Sequence, residues 1–240
     1  MMSFLKAEWR KLAIANYEID PSLLSEYIPA GTELDLWQDR CFVSLVGFMF
    51  VNTKVLGVPI PFHRDFEEVN LRFYVKRMED NKWKRGVVFI KEIVPKPALT
   101  FVANTLYGEN YETLPMQHDW EEDDSHRTVA YRWEKDSVWQ SFEVTADLQS
   151  SPIEANSETE FITEHYWGYA KVSEETTNEY EVTHPKWRQY QIKSFEIKVD
   201  FGRVYGDEFE FLSHSTPTSV TLAEGSEITV EGKTTIKVPQ

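Results

Sequence analysis

The strongest constraint on this fold is a two-residue alternation of apolar and polar side chains that recurs along most of the chain. Successive side chains of a β-strand point to opposite faces, so this period is typical of strands with one buried face. Seven segments rich in β-branched and aromatic residues are predicted as strands. They span residues 42–51, 69–76, 86–94, 127–133, 138–145, 160–170 and 226–238. The pattern predicts a mainly β protein.

Two other segments carry the signals of short helices. In residues 20–28, Asp20 is a suitable N-cap and Pro21 occupies the first helical position. Residues 97–107 repeat this design with an apolar stripe at helical spacing, and Gly108 follows as a stop signal. We therefore expect two principal helices within an otherwise β chain.

Length and composition favour one domain. The chain has 240 residues, and no linker divides it. Hydrophobic residues make up 41% of the chain and aromatic residues 14%, which is enough for a substantial core. We expect residues 1–240 to form a single domain.

The charge balance argues against two classes of partner. The 25 Lys and Arg residues are outnumbered by 40 Asp and Glu residues, for a formal net charge of −15. Such a protein repels nucleic-acid phosphates and anionic lipid headgroups. Lys6, Glu8 and Arg10 stand where a secretory signal would be apolar, and no apolar run is long enough to span a membrane. We expect a cytoplasmic protein without nucleic-acid or membrane partners; a homo-oligomer is compatible with the sequence.

The sequence carries no pattern of a metal or cofactor site. Cys41 is the single cysteine, so it can form neither an internal disulfide nor a zinc site made of cysteines. The six histidines lack the spacing of metal-binding motifs. Phosphate-binding and dinucleotide-binding fingerprints are also missing from the sequence. The expectation is therefore no metal and no cofactor.

The most informative segment is residues 66–75, where Glu68, Asn70, Arg72 and Tyr74 alternate with four apolar residues. In a strand the four polar side chains share one face, with neighbours about 7 Å apart. This face either meets water on an outer strand or lines a cavity. In a cavity, Arg72 would bind a ligand carboxylate, Glu68 would act as acid or base, and Asn70 would orient a polar substituent. The pattern alone does not decide between these two readings.

Several motifs, in consistent order over most of the chain, resemble those of one family. They are Asp20-Pro21, Glu68-x-Asn70-x-Arg72-x-Tyr74-Val75, Arg85-Gly86, Leu114-Pro115, Phe161-Ile-Thr163-Glu164-x-Tyr166, His184-Pro185-x-Trp187 and Ala223-Glu-Gly225-Ser226. The chain resembles the YqjF-like family of uncharacterised bacterial proteins, and the Glu-x-Asn-x-Arg-x-Tyr-Val block is the most specific part of the likeness.

That family is similar in fold to acetoacetate decarboxylase. The resemblance implies a mainly β, cone-like β-barrel with a few short helices around an internal cavity. It also implies that Glu68, Asn70, Arg72 and Tyr74 line this cavity. Because a buried guanidinium needs a partner, we expect Arg72 to meet either an anion or a carboxylate from another segment, with Glu164 as the candidate.

One departure from the decarboxylase pattern limits the chemistry. Acetoacetate decarboxylase uses a Schiff-base lysine activated by a second lysine. By order along the chain, Met116 and Gln117 occupy those positions here, so the resemblance implies a ligand-contacting Met116 without imine chemistry. Met116 and His165 also depart from residues that are common in the YqjF-like family at these positions.

Three functional hypotheses follow. The first is an enzyme of the lyase, hydratase or isomerase type that acts on a small organic acid without a Schiff-base lysine. The second is a non-catalytic protein that binds or senses a small molecule, most simply one bearing a carboxylate. The third is a structural or interaction protein whose barrel is filled by its own side chains.

Overall fold

The computed structural model describes residues 3–238, which form fifteen strands and several short helices. The strands are β1 (Leu5–Glu18), β2 (Glu33–Leu34), β3 (Phe42–Val55), β4 (Val58–Pro59), β5 (Phe66–Glu79), β6 (Lys82–Val94), β7 (Tyr111–Thr113), β8 (Met116–Glu122), β9 (His126–Lys135), β10 (Val138–Pro152), β11 (Trp167–Lys171), β12 (Thr176–Thr183), β13 (Arg188–Lys198), β14 (Ser219–Val230) and β15 (Thr234–Lys237). The α-helices are α1 (Pro97–Val102), α2 (Glu158–Thr163) and α3 (Phe201–Tyr205). Two 3₁₀ helices (Pro21–Tyr27 and Asp207–His214) and a π-helical turn (Ala103–Tyr107) complete the set.

The mainly β prediction is confirmed, and so are both predicted helices. The side chain of Asp20 accepts a hydrogen bond from the Ser22 backbone N–H at 2.9 Å and caps the first 3₁₀ helix. The second predicted helix is α1 with the π-helical turn that continues it. This turn ends at Gly108, whose φ of 75° lies in the left-handed region that favours glycine.

The predicted strand 160–170 is wrong in its first half, which forms α2. The hydroxyl of Ser157 caps the helix by accepting a hydrogen bond from the Glu160 backbone N–H at 3.1 Å. The Glu160 carboxylate in turn accepts one from the Asn156 backbone N–H at 2.7 Å. This reciprocal capping is the signal of a helix start, and it outweighs the apolar residues that suggested a strand.

Further corrections concern the two ends of the chain. The charged segment at the N-terminus forms β1, which the sequence did not identify as a strand. Helix α3 begins at an N-cap, Asp200, and was not expected either. The predicted strand 226–238 is divided into β14 and β15.

Seven strands close into a ring. They follow the order β12–β11–β6–β5–β3–β1–β14, and a pairing between β12 and β14 returns to the start. From β14 the sheet continues through β13, β10 and β9 to β8. All strands of the described chain are joined in one sheet. This arrangement is compatible with the predicted single domain over residues 1–240, which stays a prediction. Within residues 3–238, no helix is long and apolar enough to cross a lipid bilayer.

Strand β5 is buried on both faces. Its apolar residues, including Leu71 and Phe73, join a core with Trp133 of β9 and Phe142 of β10. Its other face belongs to a second core, which lies inside the ring. The alternation predicted for this strand is therefore correct, and the reading in which its polar face meets water is wrong.

Gly168 of β11 provides a test of this packing. It pairs directly with Tyr180 of β12, and a Cβ placed on Gly168 would lie 2.1 Å from the Tyr180 ring. We expect Gly168→Ala to lower the free energy of unfolding by about 2–3 kcal/mol, because the tightly held ring must move. Denaturant unfolding measures this change. Gly232→Ala is the control, since its Cβ would meet no atom within 4 Å; equal effects of the two substitutions would contradict the expectation.

Candidate functional site

The ring surrounds a cavity of about 390 Å³, which reaches the protein surface beside the exposed side chains of Ile60 and Val102. Its wall is mainly apolar and aromatic. The larger apolar side chains around it are Trp9, Phe48, Phe50, Phe89, Leu99, Trp167 and Trp187. A cavity of this size and lining is suited to a small organic molecule, and the few polar groups in its wall determine what can bind there.

Three of the four polar residues predicted on β5 line the cavity: Glu68, Asn70 and Arg72. They are only 2%, 1% and 7% exposed. Tyr74 is also buried on this face, but it is not among the residues that line the cavity, and its hydroxyl is 2.7 Å from the Ser44 hydroxyl. Its ring centre is 5.7 Å from the Arg72 guanidinium carbon. Tyr74 therefore supports Arg72 and does not itself line the cavity.

Arg72 is a buried cation without a carboxylate partner among residues 3–238. Its Nη2 donates only a long hydrogen bond of 3.5 Å, to the carbonyl of Ile162. Its Nε–H is buried and has no acceptor in the part of the chain that the structure describes. A buried charge without a partner is costly, and a planar guanidinium binds carboxylates through paired hydrogen bonds. The side chain is therefore suited to holding an anionic group in the cavity.

Glu68 is the acidic residue on the same strand face. One carboxylate oxygen accepts a hydrogen bond from the Asn70 amide at 3.0 Å, and the other accepts one from the Tyr111 hydroxyl at 3.1 Å. Burial raises the pKa of Glu68 to about 7. The two hydrogen bonds partly offset this rise in pKa, and the charge of Glu109 adds to it. Both protonation states are then populated near neutral pH, as proton transfer requires.

Sequence reasoning missed a group of acidic and phenolic side chains in the cavity wall. Glu92 on β6 is 2% exposed, and one of its carboxylate oxygens has no hydrogen-bond partner. Burial, together with the charges of Glu109 and Glu68, raises the pKa of Glu92 well above its usual range. Glu109 accepts a hydrogen bond from the Tyr180 hydroxyl at 2.7 Å, and burial raises its pKa to about 7.

A bulge explains why Glu92 was missed. The pairing of β5 with β6 shifts register between Leu71 and Arg72, so that Leu71 faces Lys91 while Arg72 faces Phe89. The extra residue, Ile90, changes which face the following residues occupy, and this brings Glu92 opposite Asn70 on the cavity side. Simple alternation along residues 86–94 cannot reveal such a shift.

Three histidines line the cavity: His63, His165 and His184. Nε2 of His165 is 3.2 Å from the Asp35 carboxylate, and its buried Nδ1 has no partner among residues 3–238. Burial lowers the pKa of His165 to about 4. His184 stacks on Trp187 with ring centres 4.3 Å apart, so the His-Pro-x-Trp motif forms part of the cavity wall.

The expectation that Glu164 and Met116 line the cavity is wrong. Because α2 replaces the predicted strand, the Glu164 carboxylate lies outside the cavity and accepts a hydrogen bond from the Tyr166 hydroxyl at 2.5 Å. Met116 is on β8, at the far end of the sheet, where it pairs with Trp133 and packs on the core outside the ring. The carboxylate predicted to meet Arg72 is thus not Glu164.

The cavity also limits the catalytic groups available. Among the described residues, no lysine lines its wall. No group of three or more His, Cys, Asp or Glu residues in residues 3–238 has a geometry suited to a metal ion. The ionisable groups in the wall are therefore carboxyls, phenols, imidazoles and one guanidinium.

The model of the DUF2071 family, described as "Uncharacterized conserved protein", matches residues 6–227. The chain belongs to this family. The DUF2071 protein is 33% identical over 86 residues to the uncharacterized protein YqjF of Bacillus subtilis (strain 168). That match covers 35% of this chain and 34% of YqjF, so the chain spans about a third of the length of this relative.

Solved structures show that the DUF2071 protein has the acetoacetate decarboxylase type of fold, as predicted. Acetoacetate decarboxylase from Legionella pneumophila is 13% identical, with a TM-score of 0.65 over 97% of this chain and 86% of that one. An acetoacetate decarboxylase-like enzyme from Sphingomonas wittichii RW1 is 10% identical, with a TM-score of 0.67 over 100% and 95%. The enduracididine biosynthesis enzyme MppR complexed with pyruvate is 11% identical, with a TM-score of 0.68 over 98% and 91%.

Proposed function

We propose that the cavity binds a small organic acid through Arg72 and that Glu68 transfers a proton to or from it. The observation that carries this proposal is the buried guanidinium of Arg72, which has no carboxylate partner among the described residues. A ligand carboxylate would supply the missing acceptors for its N–H groups. The complex of the similar fold MppR with pyruvate supports a small carboxylate as the ligand class.

The positions of Arg72, Asn70 and Glu68 suit a ligand that extends along the face of β5. Arg72 and Glu68 are four residues apart, so their Cα atoms are separated by about 13 Å, and Asn70 lies between them. A ligand held by its carboxylate at Arg72 would direct its other end past Asn70 toward Glu68. The apolar wall would cover the carbon skeleton.

The proposed reaction is a proton transfer of the lyase, hydratase or isomerase type, without an imine. A carboxyl group with a pKa of about 7 can both accept and donate a proton at neutral pH. The lack of a cavity lysine among the described residues removes the nucleophile that an imine would need. Neutral His165 beside the ligand would provide a further hydrogen-bonding group.

The alternative is a non-catalytic protein that binds or senses the same acid. The lack of a lysine in the described cavity wall favours this alternative, because a decarboxylase-type cavity can still bind a ligand after losing its nucleophile. Both versions share the role of Arg72 and differ only in the role of Glu68. In either version we propose a cytoplasmic protein without nucleic-acid or membrane partners.

Binding of simple acids tests the proposal directly. We expect pentanoate to bind saturably in titration calorimetry and its methyl ester to bind at least about tenfold more weakly, because the ester cannot form the charged pair with Arg72. The ester keeps the apolar chain, so it controls for hydrophobic binding. Equal affinities for the acid and the ester would overturn the proposal.

A further inference from the structure

Two buried oxygens in the cavity wall have no hydrogen-bond partner among residues 3–238. They are Oδ1 of Asn70 and Oε2 of Glu92, in side chains that are 1% and 2% exposed. Leaving a buried acceptor unsatisfied costs free energy, so such groups normally have a partner. Neither acceptor is used in binding a carboxylate, because an anion brings no N–H or O–H donor.

The backbone brings these two acceptors together. Asn70 on β5 is directly opposite Glu92 on β6, so the two side chains share the cavity face with Cβ atoms about 5 Å apart. The amide nitrogen of Asn70 already donates to Glu68 at 3.0 Å, and this orients Oδ1 as an acceptor. The result is a pair of oxygens that one donor-rich group can contact at the same time.

The carboxyl groups around this pair favour a cation, because a bound positive charge stabilises their ionised forms. Glu68 and Glu92 are neighbouring buried carboxyls, and neither forms an ion pair with another described residue. An ammonium group carries three donors and no acceptor, which matches several acceptors and unpaired carboxyls. A hydroxyl group has a single donor and would leave one of the two oxygens unsatisfied.

We propose that the ligand is an amino acid in the broad sense, whose carboxylate binds Arg72 and whose protonated amine lies between Asn70 and Glu92. This inference rests on the proposed function and adds the second charged group of the ligand. Same-face neighbours on a strand are about 7 Å apart, so the amine and the carboxylate are separated by a short carbon chain.

The proposal requires opposite pH dependence for ligands with and without the amine. The charged and titratable groups of the cavity wall near Glu92 are Glu68, Arg72, Glu109, Tyr111 and Tyr180. The pKa of Glu68 and that of Glu109 are each raised to about 7 in the empty cavity. Raising the pH from 6 to 8 therefore ionises carboxyls, which attracts an ammonium group and repels a ligand that is only an anion.

Matched probes separate these effects. The probes are 4-aminobutanoate against pentanoate and 6-aminohexanoate against heptanoate, since a methyl group replaces the ammonium in each pair. Titration calorimetry at pH 6, 7 and 8 compares the wild type with Glu92→Gln, which keeps the shape of the side chain but cannot form the carboxylate that a bound ammonium group would stabilise. Glu164→Gln is the control, because that carboxylate lies outside the cavity.

We expect at least one amino acid to bind about tenfold more tightly than its partner at pH 8, with the preference declining toward pH 6. Glu92→Gln should abolish this preference, and Glu164→Gln should keep it. If the alkanoates bind and no amino acid is preferred at pH 8, the amine site is refuted and the organic-acid proposal stands. If neither class of probe binds, both proposals fail.

Discussion

Replacing Arg72 with Met should weaken the binding of a small carboxylate by about 2–5 kcal/mol, the usual loss when one partner of a desolvated charge pair is removed. Met retains much of the bulk of the arginine side chain and removes its paired donors. In the empty protein the guanidinium has a single long hydrogen bond, to the Ile162 carbonyl at 3.5 Å. We therefore expect the substitution to leave the stability of the ligand-free protein unchanged or increased.

Titration calorimetry with pentanoate and denaturant unfolding of the ligand-free protein measure the two effects. Arg203→Met is a suitable control, because Arg203 is exposed and pairs with Asp200 on the surface. It should change the stability by no more than about 0.5 kcal/mol and leave binding unaltered. If Arg72→Met strongly destabilises the protein but leaves pentanoate binding unchanged, Arg72 has a structural role and does not bind the ligand.

Replacing Glu68 with Gln should reduce enzyme-catalysed proton exchange by about 10²–10⁴-fold, the usual contribution of a general acid or base. Incorporation of deuterium next to the ketone of 4-oxopentanoate, a keto acid as long as pentanoate, followed by NMR in D₂O, is a direct measurement of this step. With Glu68 as the base, the wild-type rate should rise as the pH passes about 7, where the carboxyl loses its proton. The Gln variant should lack this rise.

The ligand affinity separates the role of Glu68 in catalysis from a role in binding. Because the carboxylate of the ligand binds at Arg72, pentanoate should bind Glu68→Gln with nearly the affinity of the wild type at pH 6, where Glu68 is mostly protonated. Glu164→Gln should match the wild type in both exchange and binding. A wild-type protein that binds acids without accelerating exchange over the buffer would favour the binding or sensing alternative.

The alternation along β5 correctly predicted which residues share a face. It could not decide what that face meets, because a water-facing strand and a cavity-facing strand have the same two-residue period. The decision depends on the closure of the ring and on long-range pairings such as that of β12 with β14. The family resemblance, confirmed for most of the chain, carried this information when the periodicity did not.

The errors in the predicted site have local causes. The prediction placed Glu164 on a strand because Phe161 and Ile162 fit an apolar run, although Ser157 and Glu160 already carried the capping signal of a helix. Glu92 was hidden by the bulge that changes its face. A capping signal can be read from a single sequence, whereas a bulge arises from the pairing of two strands.

The closure of the ring also has a consequence for how a ligand reaches a cavity with mainly apolar walls. The hairpin of β11 and β12 is joined to β6 through Trp167 and Gly168, and to β14 through Val182 and Thr183. By contrast, β1 and β14 pair over most of their length. Local unfolding occurs most readily where the fewest hydrogen bonds hold an element to its neighbours. The hairpin is therefore the part of the ring whose displacement breaks the fewest ladder hydrogen bonds. Because it carries Tyr180, its movement would widen the cavity beside Glu109.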